Sequence, residues 1–186
     1  MPARGSPTAL ALGPGYLYIG QMGRTEPTDL VTAWATVDAG WTLLGYTDAG
    51  SEFDYNLSVD PVDGAEELDP ISNQTTGRVA TLKFAASQMT TTNLKLALNG
   101  GVVSTAAGVT TFEPPDLGTE VRTMIGFESE DHTERWVYRQ CFQTGTLAIT
   151  RAKGAANATL PVEFTLEKPA TGARLFKALL ASPLRN

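Results

Sequence analysis

The chain has 186 residues, 42% of them hydrophobic and 18% charged, with a formal net charge of −6. That balance fits one folded domain with a sizeable core, and no apolar run approaches the roughly 20 residues a membrane-spanning helix needs. A single cysteine, Cys141, excludes an intrachain disulfide framework and fits a reducing cytoplasm, while a single histidine, His132, leaves a His-based zinc centre hard to build.

Residues 1 to 12 carry one arginine and a weak apolar run broken by Pro7. They make a poor secretory leader and read as a flexible N-terminal arm ahead of one domain over 13–186. After Gly13-Pro14-Gly15 the first strand is Tyr16 to Gly20, and a second is Trp41 to Tyr46. The clearest pattern follows. Phe53, Tyr55, Leu57 and Val59 alternate with Glu52, Asp54, Asn56, Ser58 and Asp60. A period of two puts one face on a core and the other toward water or a partner. From Pro61 to Pro70 the chain is too acidic and too rich in Pro and Gly to continue a strand, and pairing resumes at Arg78 to Ala86. The segment at about 60–76 is thus a long loop, and loops of that length are usually functional.

One helix is predicted over Thr91 to Leu98. Thr90 or Thr91 caps it, Leu94, Ala97 and Leu98 form its apolar stripe, and Asn99-Gly100 supplies a left-handed stop. Short strands then recur at Val109 to Phe112, Glu120 to Phe127, Glu134 to Phe142 and Gly145 to Arg151. Thr159 to Glu167 alternates cleanly, with Leu160, Val162, Phe164 and Leu166 inward. Within Glu134 to Phe142, simple alternation puts Trp136, Tyr138, Gln140 and Phe142 on one face and Val137, Arg139 and Cys141 on the other. The tail from Ala173 to Leu180 reads as a helix or a last strand. The sum is a mainly β chain, an antiparallel β-sandwich or partial barrel with one short flanking α-helix.

Chemistry-bearing patterns are weak. The acids Asp60, Asp63, Glu66, Glu67 and Asp69 lack the spacing of a calcium loop and favour a solvated or intersubunit loop. Asp54 with Glu52 or Glu128 is a conceivable glycosidase pair, but acids that keep a strand face wet explain them more simply. There is no Gly-x-Ser-x-Gly elbow and no phosphate loop, so no catalytic residue, cofactor or metal is expected. Arg135-Trp136-Val137-Tyr138-Arg139 reads as core plus rim before it reads as a base-stacking platform. Trp34, Trp41 and Trp136 read as packing residues before they read as a sugar-binding patch. His132 reads as a solvated loop histidine, and Cys141 as a buried structural thiol. Charge is uneven: up to Gly77 eleven acids face only Arg4 and Arg24, a net −9, and the remainder is +3. That argues against general nucleic-acid affinity in the first part.

Taken in order, Gly13-Pro14-Gly15-Tyr16-Leu17-Tyr18, Gly45-Tyr46-Thr47-Asp48-Ala49-Gly50, Glu66-Glu67-Leu68-Asp69-Pro70 and Asn93-Leu94-Lys95-Leu96-Ala97-Leu98-Asn99-Gly100-Gly101 carry a resemblance. Over about Gly13 to Leu180 the chain resembles the major tail protein, or tail tube protein, of long-tailed non-contractile bacteriophages. The resemblance implies a structural virion protein with no enzymatic role. Its subunits would form hexameric rings that stack head to tail into a tube through which DNA passes without specific binding. It implies a place in the phage tail, assembly in the host cytoplasm, and tape-measure, tail-terminator and tail-tip proteins as further partners. On that footing Glu52, Asp54, Asn56 and Ser58 are expected to line the lumen. Asp60, Asp63, Glu66, Glu67, Leu68 and Asp69 are expected to make ring-to-ring contacts. A sugar- or host-surface-binding β-sandwich and, more distantly, a small acidic-site hydrolase remain alternatives.

Overall fold

A computed structural model describes residues 14–62, 71–149, 158–170 and 172–181. Ten strands and two short helices occur among them. In chain order these are β1 (Gly15–Gln21), α1 (Trp34–Val37), β2 (Thr42–Leu43), β3 (Thr47–Val62), β4 (Ser72–Ala86) and α2 (Thr91–Ala97). There follow β5 (Val102–Ala106), β6 (Val109–Glu113), β7 (Thr123–Ser129), β8 (Glu134–Gln143), β9 (Leu160–Leu166) and β10 (Phe176–Leu180). Every ladder is antiparallel. The main sheet runs β2-β1-β7-β8-β9-β4-β3, with β10 as a further partner of β8, and β5-β6 stand apart as a two-stranded ribbon.

Strand β8 turns this path into two layers. Its first half pairs with β10 and its last residues, Cys141 to Gln143, pair with β9. The register with β7 slips between Thr123 and Ile125, whose partners are Cys141 and Tyr138. One extra residue on β8 makes a β-bulge, which bends the strand and reverses its alternation. Tyr138 and Cys141 therefore both face the core, three residues apart, whereas simple alternation puts them on opposite faces.

The core lies between the layers. Leu17, Ile125, Tyr138 and Cys141 meet Ala80, Leu82, Phe84, Leu160, Val162 and Phe164. The inward residues of β9 are those the alternation predicts. Helix α2 starts where the Asn93 amide donates to Thr90 Oγ1 at 3.1 Å, and Asn99 at φ 54° ends it. Its Leu96 and Ala97 close the core from one end.

The structure departs from the sequence reading in several places. The β3–β4 ladder continues through Val62 and Ser72, so Asp60 pairs with Gln74 in a strand and not in a loop. Pro61 is tolerated because β3 is an edge strand whose outer side has no ladder to serve among the described residues. Asp63, Glu66, Glu67, Leu68, Asp69 and residues 1–12 lie outside the described residues. The tail is a strand, β10, and Gly145 to Ile149 carry no strand although Leu147 and Ile149 pack on the core. Strand β5 and helix α1 are additions, as is the length of β3, 16 residues.

Candidate functional site

The layer made by β9, β4 and β3 shows its outer face to solvent. Glu52, Lys83 and Glu163 stand in one cross-strand row; Asp54, Thr81 and Thr165 stand in the next. Asn56 and Ser58 continue the face along β3, opposite Val79 and Gly77. The four residues expected to share a face therefore do so. Lys83 Nζ lies 3.1 Å from Asp54 Oδ2, and this contact with the nearby Glu163 and Glu52 raises the lysine above its ordinary pKa. Residue Glu167, just past β9, accepts Arg122 through both carboxylate oxygens, at 3.0 and 3.3 Å, and Gln140 Nε2 at 2.8 Å. The Arg122 guanidinium lies 4.4 Å from the centre of the Phe142 ring, which pairs opposite Thr165.

The other layer is covered. On the side of β1, β7 and β8 away from the core, Trp34 and Trp41 pack on Tyr18, Met124 and Val137. Trp34 is stacked on Tyr18 at 4.7 Å and meets Trp41 edge-on at 4.8 Å. Only glycine at 126 lets the Trp34 ring lie so close, since a Cβ there would stand 2.3 Å from it. The segment 24–41 that brings these tryptophans is held by buried charge. Arg135, 2% exposed, donates to Glu128 Oε1 at 2.7 Å and to the carbonyls of Asp29 and Thr32. Trp34 Nε1 donates to Glu128 Oε2 at 2.7 Å, and His132 Nδ1 lies 2.7 Å from Oε1. Burial pushes the Glu128 carboxyl up. The hydrogen bonds from Arg135, His132 and Trp34 outweigh that and keep it below its ordinary range. Arg139 grips Glu26, and Lys177 donates to the Pro27 carbonyl.

One expectation changes here, and the packing reading of the tryptophans holds. Glu128, grouped with surface acids as a possible hydrolytic partner, is a buried structural anion on the face away from Asp54 and Glu52. Trp34 and Trp41 are 1% and 4% exposed, so they present no platform to a sugar. Trp136 is half-buried in an aromatic cluster with Phe53, Tyr138 and Phe176.

A third surface is the arm formed by the far ends of β3 and β4. Phe53 packs on the core, but Tyr55, Leu57 and Val59 on the same side of β3 are 41%, 53% and 48% exposed. Their apolar face runs off the body of the sandwich. Beyond it β3 has no partner strand along its outer edge among the described residues. At the opposite end of the strand path, the short β2 borders a groove of about 910 Å³ against α2 and the β5–β6 ribbon. No group of three or more His, Cys, Asp or Glu that could hold a metal occurs among the described residues.

An unpaired edge, an uncovered apolar arm and an open polar sheet face suit a subunit built to join copies of itself. A family model described as phage tail tube protein matches residues 7–183. The chain belongs to that family. No curated protein matches it. As a phage tail tube family member it is a structural component of the virion tail and assembles there as a homo-oligomer. The mainly β, antiparallel sandwich is the architecture that the strand pattern predicts, with two short helices.

Proposed function

We propose that copies of this chain form hexameric rings that stack head to tail into the tail tube, a conduit for DNA ejection. The observation that carries the reading is the edge of β3, 16 residues long and without a partner strand among the described residues, with half-exposed Tyr55, Leu57 and Val59 beside it. Exposed edges of that length invite pairing, and a ring that closes strand against strand removes them. The other end of the strand path is the two-residue β2 beside β1, so a heterologous contact from the β3 edge of one copy to the β2–β1 side of the next repeats around a ring. Asp60, near the end of the arm, together with Asp63, Glu66, Glu67, Leu68 and Asp69 of the segment outside the described residues, supplies the ring-to-ring contact in this reading.

The polar face of β3, β4 and β9 is the candidate bore. The Trp34–Trp41 layer covers the outer side of the other half of the sandwich, leaving this face as the open sheet surface. Glu52, Asp54, Asn56 and Ser58 give phosphates no grip there. Tape-measure, tail-terminator and tail-tip proteins are the partners at the tube's interior and ends. Assembly takes place in the host cytoplasm, where a lone buried thiol such as Cys141 stays reduced. Electron microscopy of the concentrated purified protein tests the reading. Hollow filaments with six-fold end views are expected; a monomer at every concentration overturns it.

A further inference from the structure

Among the described residues of β3, β4 and β9 the open face carries one cation, Lys83, and Arg122 reaches onto it from the residue before β7. Neither is free. Lys83 is held by Asp54 at 3.1 Å, with Glu52 and Glu163 beside it in the same cross-strand row. Arg122 is held by both oxygens of Glu167, and that carboxylate is fixed in turn by Gln140. Two-point guanidinium–carboxylate contact is the geometry that also grips a phosphate, so Glu167 occupies the site a phosphate would take. Both cationic side chains remain about two-fifths exposed, at 40% and 41%, so each reaches solvent once its carboxylate is gone.

We propose that Asp54 and Glu167 serve as masks, each occupying the phosphate-binding head of a wall cation so that duplex DNA meets neither Lys83 nor Arg122 free on this face. The proposal rests on the bore assignment above. It adds that particular pairings, and not the summed charge of the face, make the wall slide past phosphates. A duplex presents one negative charge per about 1.7 Å, and each cation it pairs with adds salt-dependent hold. An exposed Glu of the same charge that touches no cation lacks this role.

Three pairs of substitutions in intact phage separate the ideas, once micrographs confirm tails of normal length. Asp54→Asn with Glu167→Gln removes two negative charges and frees both cations. Glu52→Gln with Glu163→Gln removes two negative charges and leaves both contacts in place. Glu52→Lys with Asn56→Lys adds cations and leaves both contacts in place. DNA release is timed at several salt concentrations. Masking predicts that the first pair slows release about tenfold at low salt, with recovery as salt rises, while the second changes it less than about twofold. Equal slowing by the first two pairs, or slowing by the third pair alone, overturns masking and leaves the bore assignment standing. No change with any pair overturns both.

Discussion

Glu128 shows what a single buried charge does in this fold. It is 3% exposed and serves Arg135, Trp34 and His132 at once, which ties the segment 24–41 to the sheet. Removing one partner of a buried ion pair strands the other, a loss of about 3–5 kcal/mol. Glu128→Gln is therefore expected to lower the unfolding free energy at pH 7 by about 3 kcal/mol, measured with urea. Its pH dependence has a definite sign. The folded carboxyl is held below its ordinary value of 4.5, so its stabilisation is present above 4.5 and is lost as pH falls through the folded value. The gap between wild type and Glu128→Gln should narrow on acidification below 4.5. A gap that stays constant down to about pH 3 rejects the charged role. None of this was legible locally: Glu128 stands beside a run of acids, and its partner Trp34 is 94 positions away.

Among the elements, the β3–β4 arm carries the sharpest expectation. Leu57 and Val59 are about half exposed and lie outside the core cluster, so Leu57→Asp with Val59→Asp should cost the monomer no more than about 1 kcal/mol. Covering the exposed half of each such side chain in an assembly is worth about 1 kcal/mol, repeated in every copy. The double variant should unfold within that margin of wild type and form no filaments in micrographs; filaments of normal length reject the arm as a contact. The alternation of β3 and β9 was readable because one clean period runs through each. The end of β3 was not, because Pro61 stops a central strand but not an outer one. Strand β5 escaped because its turn uses Ala107 at φ 50° with Gly108 at φ 78°, a left-handed pair in which alanine gives no warning. The β8 bulge at Arg139–Gln140 leaves no mark in residue type, so its reversal of faces could not be anticipated. Of the site, the shared face of Glu52, Asp54, Asn56 and Ser58 was legible. The cross-strand positions of Lys83 and Glu163 needed the register.

For the whole molecule, the two sheet faces predict opposite sensitivities. Val31 and Thr36 are exposed on the segment that overlies β1, β7 and β8; Glu52 and Asp54 lie on the other side of the sandwich. Val31→Lys with Thr36→Lys should leave DNA release unchanged, while Glu52→Lys with Asp54→Lys should slow it in a salt-dependent way. The reverse pattern in a release assay places the bore on the tryptophan side. The layout also bears on life before assembly. A fresh pool of subunits displays a long unsatisfied rail, the usual seed of aggregates. Yet Pro61 lacks an N–H to give, and β3 carries extra residues between Thr47 and Ser51 that bend its edge. A stray extended peptide cannot zip along such an interrupted track. Only a surface shaped to the same breaks can, so the edge favours a matching copy over a stray strand.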